Sequence, residues 1–140
     1  ITACHQDATA FVPEWEDAMD YVIADVPCSG YGIIRKKPDI RYKSLAEAAQ
    51  LPALQQEIIN NAARYVKPGG LLLYSTCTLV QAENEGVVEN FLRTHPDFTT
   101  EPLPLPAIFP KNERGMLALV PGQYDTDGFF IARLRRSANA

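Results

Sequence analysis

The 140-residue sequence is poor in the residues that build many common sites, with two histidines, one tryptophan and three cysteines. An odd and sparse set of cysteines argues against the disulfide framework of a small secreted domain, so we expect reduced thiols. A papain-like protease needs a histidine beside its thiolate, and only His5 and His95 exist, at the start of the chain and at a predicted helix end, which disfavours that class.

Long apolar runs are also absent. None approaches the roughly twenty residues that span a bilayer, and the first residues lack the basic flank and apolar core of a signal peptide. We therefore expect a cytoplasmic protein without a membrane partner.

An excess of positive charge is absent as well, because the formal net charge is −4. The chain as a whole has no general attraction for a polyanion, so any contact with nucleic acid must be local or supplied by another domain. The sequence has neither repeats nor low-complexity tracts, and its 46% hydrophobic and 21% charged content is typical of a folded chain. One globular domain is the default expectation.

Alternating strand and helix patterns fill the first two thirds of the chain. Residues 19–25 and 71–76 are apolar runs typical of strands buried on both faces of a parallel sheet. A capping box predicts a short helix over residues 44–50, and a second helix has Pro52 in its first turn and stops at residues 67–70, before a third at 81–94. This order predicts an α/β fold with parallel strands. After a proline-rich stretch, residues 116–120 and 129–134 predict an antiparallel pair at the sheet edge.

Two cysteines follow the two predicted parallel strands. Ligands bind beyond the carboxyl ends of such strands, so Cys28 and Cys77 can meet in one cleft. Taken singly, each is more often a small buried hydrophobe. A zinc deaminase site is excluded because Tyr31 stands where its second cysteine would be. A cysteine phosphatase loop is excluded because six residues, rather than five, separate Cys28 from Arg35.

Five motifs in a fixed order resemble those of the RNA cytosine-5 methyltransferases. Residues 25–30 (DVPCSG) are similar to that family's Asp-Ala-Pro-Cys-Ser-Gly, and residues 74–78 (YSTCT) to its Tyr-Ser-Thr-Cys-Ser. The other three matches are residues 35–41 (RKKPDIR), 67–70 (KPGG) and 127–130 (DGFF). The first of these three favours the bacterial branch that methylates 16S ribosomal RNA, the Sun/RsmB type.

The resemblance implies a Rossmann-like S-adenosylmethionine-dependent methyltransferase fold. Residues 1–140 are expected to form the C-terminal portion of its catalytic domain, with parallel strands and helices followed by the antiparallel pair. The N-terminal strands and the glycine-rich cofactor motif are missing from this sequence, so the chain alone is expected to bind the cofactor poorly. The full-length enzyme is expected to be a monomer, with RNA as its partner and no metal.

The resemblance also implies residue roles. Cys77 is expected to attack C6 of a cytosine and Cys28 to assist release of the methylated product. Asp25 is expected to hydrogen-bond the cytosine edge, and the Pro27 carbonyl to accept from the exocyclic amine. The positions expected to border S-adenosylmethionine are Asp7, Asp25 and Pro27.

A basic loop follows the first cysteine motif. It places five positive charges within nine residues, enough for phosphate contacts that position RNA: Arg35, Lys36, Lys37, Arg41 and Lys43. A solvated surface loop is the alternative interpretation. For the whole chain, the alternative is a catalytically silent half-domain that acts as a folding or interaction module.

Overall fold

A five-stranded sheet with helices packed against it makes up most of the protein. The computed structural model describes residues 2–109 and 112–139. The strands are β1 (Met19–Asp25), β2 (Val66–Thr76), β3 (Phe98–Thr100), β4 (Met116–Leu119) and β5 (Phe129–Arg136). The helices are α1 (Leu45–Ala48), α2 (Leu51–Ala63) and α3 (Glu85–Thr94). The sheet order is β1-β2-β5-β3, and β4 also pairs with β5.

The predicted first strand is confirmed at residues 19–25, and it runs parallel to β2 with Asp25 opposite Ser75. The prediction that this strand is buried on both faces is wrong. β1 lies at the edge of the sheet, and Tyr21 and Ile23 are 74% and 69% exposed. Only the opposite face, represented by Ala24, packs into the core beneath α2.

The second helix ends earlier than predicted and the second strand begins earlier. α2 stops at Ala63, and residues 67–70 lie inside β2 rather than in a turn before it. A Cβ on Gly70 would lie 2.8 Å from Val66 Cγ1 and 2.9 Å from the Lys67 carbonyl oxygen. The register also shifts opposite Met19 to Tyr21. The glycine pair therefore allows residues 66–70 of β2 to pack closely together where the strand is irregular. Glycine within a strand often marks such an irregularity.

The antiparallel pairing of the last two predicted strands is confirmed, but their place at the sheet edge is wrong for β5. β5 pairs with β2 on one side, with Leu72 opposite Leu134, and with β3 and β4 on the other. Its alternate residues Phe130, Ala132 and Leu134 are fully buried. β3 has only three residues, too few to show a period in the sequence.

The helices cover one side of a single hydrophobic core. α1 falls within the predicted 44–50 segment, and Pro52 lies in the first turn of α2 as predicted. The predicted helix over 81–94 is divided, because Gln81–Glu83 forms a 3₁₀ turn and Asn84 leaves the helical conformation before α3. Fully buried side chains in the core include Ile59, Leu72, Tyr74, Val88 and Phe91. Within residues 2–109 and 112–139, no helix is both long and apolar enough to cross a membrane.

Candidate active site

The two motif cysteines lie side by side. Cys28 follows β1 and Cys77 follows β2, and their Sγ atoms are 3.2 Å apart. Both are free thiols and half-buried, whereas Cys4 is exposed. The prediction that the two thiols share one cleft is confirmed, and their chemical roles stay predictions.

Backbone contacts hold the loops of the two thiols together. The Val26 N–H donates to the Ser75 carbonyl at 3.1 Å, and the Gly32 N–H donates to the Cys77 carbonyl at 3.0 Å. Gly128 N–H in turn donates to the Gly32 carbonyl at 2.8 Å. A Cβ on Gly32 would lie 2.2 Å from the Gly128 carbonyl oxygen, so only glycine allows this approach. The DGFF motif is thereby hydrogen-bonded, through Gly128, to the loop that follows Cys28.

Burial changes the acidity of the Cys28 thiol. Burial, followed by the hydrogen bond with Cys77, raises the pKa of the Cys28 thiol to about 11. Cys28 is therefore protonated at neutral pH and can donate a hydrogen bond to the Cys77 sulfur.

A buried polar cluster that the sequence analysis missed lies behind the thiols. Glu83, 1% exposed, accepts hydrogen bonds at its Oε2 from the Ser29 N–H and from Gln55 Nε2, both at 2.9 Å. Gln55 Nε2 also donates to the Pro27 carbonyl at 2.9 Å. The sequence could have indicated that Gln55 is buried, because it lies on the apolar face of α2, three residues before Ile58. Nothing in the sequence distinguishes Glu83 from its neighbour Glu85.

An open cavity of about 540 Å³ lies in front of the thiols. Its walls include both cysteines and, from the basic loop, Lys36, Lys37 and Lys43. Its size and its mixture of thiol, apolar and cationic groups suit a nucleotide-sized ligand. The structure thus places three of the five predicted RNA-binding cations around the thiol pair.

The cations of the basic loop are all exposed, and several also have partners within the protein. Lys36 Nζ is 2.5 Å and Arg35 3.6 Å from the carboxylate of Asp127, which is buried. Lys43 donates to the Ser29 carbonyl at 3.1 Å, and Arg41 donates to the Pro38 carbonyl at 3.3 Å. The ion pairs join the loop to the DGFF motif, a role for Asp127 that the sequence analysis did not identify.

The predicted cofactor residues do not all come together. Asp7 and Asp25 line a second cavity of about 320 Å³, walled by apolar side chains of β1 and α2. Asp25 Oδ1 accepts from Ser75 Oγ at 2.8 Å. Pro27 is not one of the residues that line this cavity, since its carbonyl faces Gln55. Gln55 thus ties the Pro27 carbonyl to the Glu83 cluster, and the role of Pro27 in binding the cofactor stays a prediction.

The second cavity suits one end of a nucleoside cofactor. Asp7 accepts hydrogen bonds from the N–H and the hydroxyl of Thr9, and these bonds lower the pKa of its carboxyl. Two carboxylates beside an apolar wall can accept from hydroxyl and amino groups while a flat ring packs on the wall. Among the described residues, no cluster of three or more His, Cys, Asp or Glu side chains could hold a metal ion.

Comparison with known proteins agrees with this geometry. A family profile described as "16S rRNA methyltransferase RsmB/F" matches residues 1–135. The chain is 40% identical to ribosomal RNA small subunit methyltransferase F of Citrobacter koseri, over 99% of this chain and 30% of the relative. It is also 40% identical to a probable ribosomal RNA small subunit methyltransferase B of Bacillus subtilis, over 86% of this chain and 28% of the relative.

Solved structures confirm the methyltransferase fold. The crystal structure of PH0851 superposes with a TM-score of 0.84 at 38% identity, over 94% of this chain and 30% of that chain. NSun6 from Pyrococcus horikoshii, solved with SFG, has a TM-score of 0.73 at 27% identity, over 95% of this chain and 34% of that chain. The predicted Rossmann-like methyltransferase fold is therefore confirmed, and the chain spans about 30% of the length of the curated relatives it matches. Together with the profile match, this shows that the chain belongs to the 16S rRNA methyltransferase RsmB/F family.

Proposed function

We propose that this chain supplies the thiol chemistry of an enzyme that methylates C5 of a cytosine in RNA, with 16S ribosomal RNA as the substrate. One observation carries the proposal: two free thiols lie 3.2 Å apart at the ends of adjacent parallel strands, facing a cavity lined with lysines. The names of the relatives support ribosomal RNA as the substrate.

In the proposed mechanism, Cys77 is the nucleophile. Carbon C5 of cytosine is unreactive until a nucleophile adds at C6, so the Cys77 thiolate forms a bond to C6 and an electron pair becomes available at C5. S-adenosylmethionine, when bound, supplies an electrophilic methyl group. The SFG ligand of the NSun6 structure, an analogue of S-adenosylmethionine, supports this choice of cofactor.

Release of the product is the proposed task of Cys28. After methylation, C5 carries both a methyl group and a hydrogen. Loss of that proton to water restores the C5–C6 double bond, and the C6–S bond breaks toward Cys77. Because the pKa of the Cys28 thiol is raised to about 11, Cys28 holds a proton at neutral pH and can donate a hydrogen bond to the departing sulfur.

Carboxylates and cations complete the proposed site. Asp25 ends β1, three residues before Cys28, and lines the second cavity. Its carboxylate would accept from the amino group of the base, and with Asp7 it would hold the hydroxyl and amino groups of S-adenosylmethionine. The loop cations would bind RNA phosphates without reading the sequence. Residues 1–140 are proposed to be one part of a longer catalytic domain.

A second candidate function is a catalytically silent folding or interaction module. The exposed edge strand favours it, because β1 presents Tyr21 and Ile23 to solvent and, among residues 2–109 and 112–139, pairs with β2 alone. Such a module would keep this surface without needing either thiol.

Trapping of a covalent intermediate tests the proposal. The chain, alone and joined to the preceding region of the Bacillus subtilis relative, is incubated with cytosine-containing RNA and a labelled methyl donor. We expect the Cys28→Ala variant to accumulate a protein–RNA adduct that survives denaturing electrophoresis, because release is blocked while attack is not.

The Cys28→Ala/Cys77→Ala double variant is the matched control and should give no adduct, because the proposed nucleophile is gone. Cys4 remains in both proteins, so any adduct through Cys4 would appear in both. Methylation that persists in Cys77→Ala would show that another group is the nucleophile. The silent module would be supported instead by two results, found both with the chain alone and with the extended protein. The wild-type protein would not methylate the RNA, and the Cys28→Ala variant would form no adduct.

A further inference from the structure

A buried carboxylate holds one of the two thiol loops, although among the described residues it has no hydrogen bond with either thiol. We propose that Glu83 is a positioning residue that fixes the Cys28 loop against the Cys77 loop and so sets the separation of the two sulfurs. Its meaning for catalysis rests on the proposed function, whereas the positioning itself is a property of this chain.

The hydrogen bonds of Glu83 converge on the residues around Cys28. Its carboxylate accepts from the N–H of Ser29, the residue directly after Cys28. It also accepts from Gln55 Nε2, which donates as well to the carbonyl of Pro27, the residue directly before Cys28. The Glu83 carboxylate and the Gln55 amide thus fix the position of the backbone on both sides of the Cys28 thiol.

The neighbouring residue holds the other loop in the same way. Asn84 Oδ1 accepts from Thr76 Oγ1 at 2.6 Å, and Asn84 Nδ2 donates to the Thr78 carbonyl at 3.0 Å. These two partners flank Cys77. Glu83 and Asn84, consecutive residues of one turn, therefore each hydrogen-bond one of the two thiol loops. Tyr74 holds this turn in place, because its hydroxyl donates to the Glu83 carbonyl at 2.6 Å.

Stability alone gives a poor reason for a carboxylate at this place. Glu83 is 1% exposed, and in the described part of the chain it forms no ion pair with a Lys, Arg or His side chain. A buried carboxyl group gives up its hydration, and an apolar side chain of similar volume is often at least as stable. The geometry that the carboxylate imposes on the Cys28 loop explains its presence.

A trivalent arsenical measures the separation of the thiols directly. Phenylarsine oxide forms two As–S bonds with a close pair of thiols and releases one water, so its affinity depends on how well the two sulfurs are held together. Mass spectrometry of the intact chain counts the bridged form, and digestion identifies Cys28 and Cys77 as the bridged residues. Neither RNA nor a methyl donor takes part, so failure of the proposed function would not affect this result.

We expect Glu83→Ala to raise the half-saturating concentration of phenylarsine oxide about ten-fold, since the buried hydrogen bonds from the Ser29 N–H and from Gln55 are both lost. Glu83→Gln keeps an acceptor oxygen and should recover most of the affinity. Glu89→Gln, the same change at an exposed position of α3, should have no effect. Val87→Ala, a buried apolar change on α3, controls for lost stability and should also leave the affinity unchanged.

The proposal is overturned if Glu83→Ala binds the arsenical within two-fold of wild type, or if Val87→Ala weakens binding equally. Should Glu83→Ala not fold, Gln55→Met provides the second test. It has a similar volume but no donor for Pro27 and Glu83, and we expect a several-fold loss of affinity. An unchanged affinity in Gln55→Met would also overturn the proposal.

Discussion

At the scale of single residues, the proton on Cys28 is the feature with the clearest consequence. Burial is the main cause of its raised pKa, and the hydrogen bond with Cys77 adds to it. We expect Cys28 to be alkylated slowly at neutral pH and to become reactive as the pH approaches about 11. In Cys77→Ala, the pKa of Cys28 should fall part of the way toward 9.0, because the partner sulfur is gone and water gains access.

Alkylation by iodoacetamide, followed at each cysteine by peptide mass spectrometry over a range of pH, measures this pKa. A pKa of Cys28 that stays the same or rises in Cys77→Ala would contradict the expected coupling. The same group makes the free energy of unfolding depend on pH. Since its pKa is raised on folding, its stabilising effect is complete below about pH 9 and is lost as the pH rises toward about 11.

Residue identities near the thiols were only partly predictable. Cys28 and Cys77 stand next to recognisable strand ends, so their meeting followed from the rule that parallel strands end at the same edge. Glu83 carries no such signal, and the DGFF match does not reveal that Asp127 is buried. Acidic residues in loops are usually solvated, and their burial depends on partners such as Gln55 and Lys36 that lie 28 and 91 positions away in the sequence.

At the scale of elements, the close stacking of three loops depends on Gly32. A side chain there would meet backbone atoms of Gly128 and Cys77, which cannot rotate away. We expect Gly32→Ala to lower the free energy of unfolding by about 2 kcal/mol, a typical cost of overpacking. Urea unfolding measures this loss, and the phenylarsine oxide affinity should fall in parallel because the Cys77 loop moves.

Gly86→Ala is the matched control for that change. Gly86 lies in α3, where a Cβ would meet only the Gln81 carbonyl, at 3.3 Å. Alanine is favoured over glycine within a helix, so the free energy of unfolding should stay within about 1 kcal/mol of wild type. Equal losses in the two variants would show that the stacking at Gly32 has no special importance.

Elements with a strong period were predictable, and their neighbours in the sheet were not. The strand at residues 19–25 has a continuous apolar pattern and was located to the residue. The sequence pattern of β5 does not reveal which strands flank it, because pairing with β2 joins segments about sixty residues apart. The sequence pattern of the glycine pair in β2 predicts a turn, because glycine and proline are common both in turns and at irregular positions of strands.

At the scale of the whole molecule, the net charge of −4 contrasts with the cluster of cations beside the thiols. Acidic groups elsewhere compensate other arginines: Glu101 pairs with Arg133 and Arg135, and Asp97 pairs with Arg136. The basic loop is therefore the local positive surface beside the candidate site. RNA attracted by charge should bind there, and its binding should depend on salt.

We expect the Lys37→Ala/Arg41→Ala variant to bind single-stranded RNA with a smaller salt dependence. Both side chains are exposed, and neither forms an ion pair within residues 2–109 and 112–139. Each lost phosphate contact should reduce the slope of log K against log salt concentration by about 0.7. Fluorescence anisotropy at several salt concentrations gives this slope. Arg93→Ala, which removes an exposed cation on α3, should leave it unchanged. A slope that is the same in both variants would place the RNA on another surface.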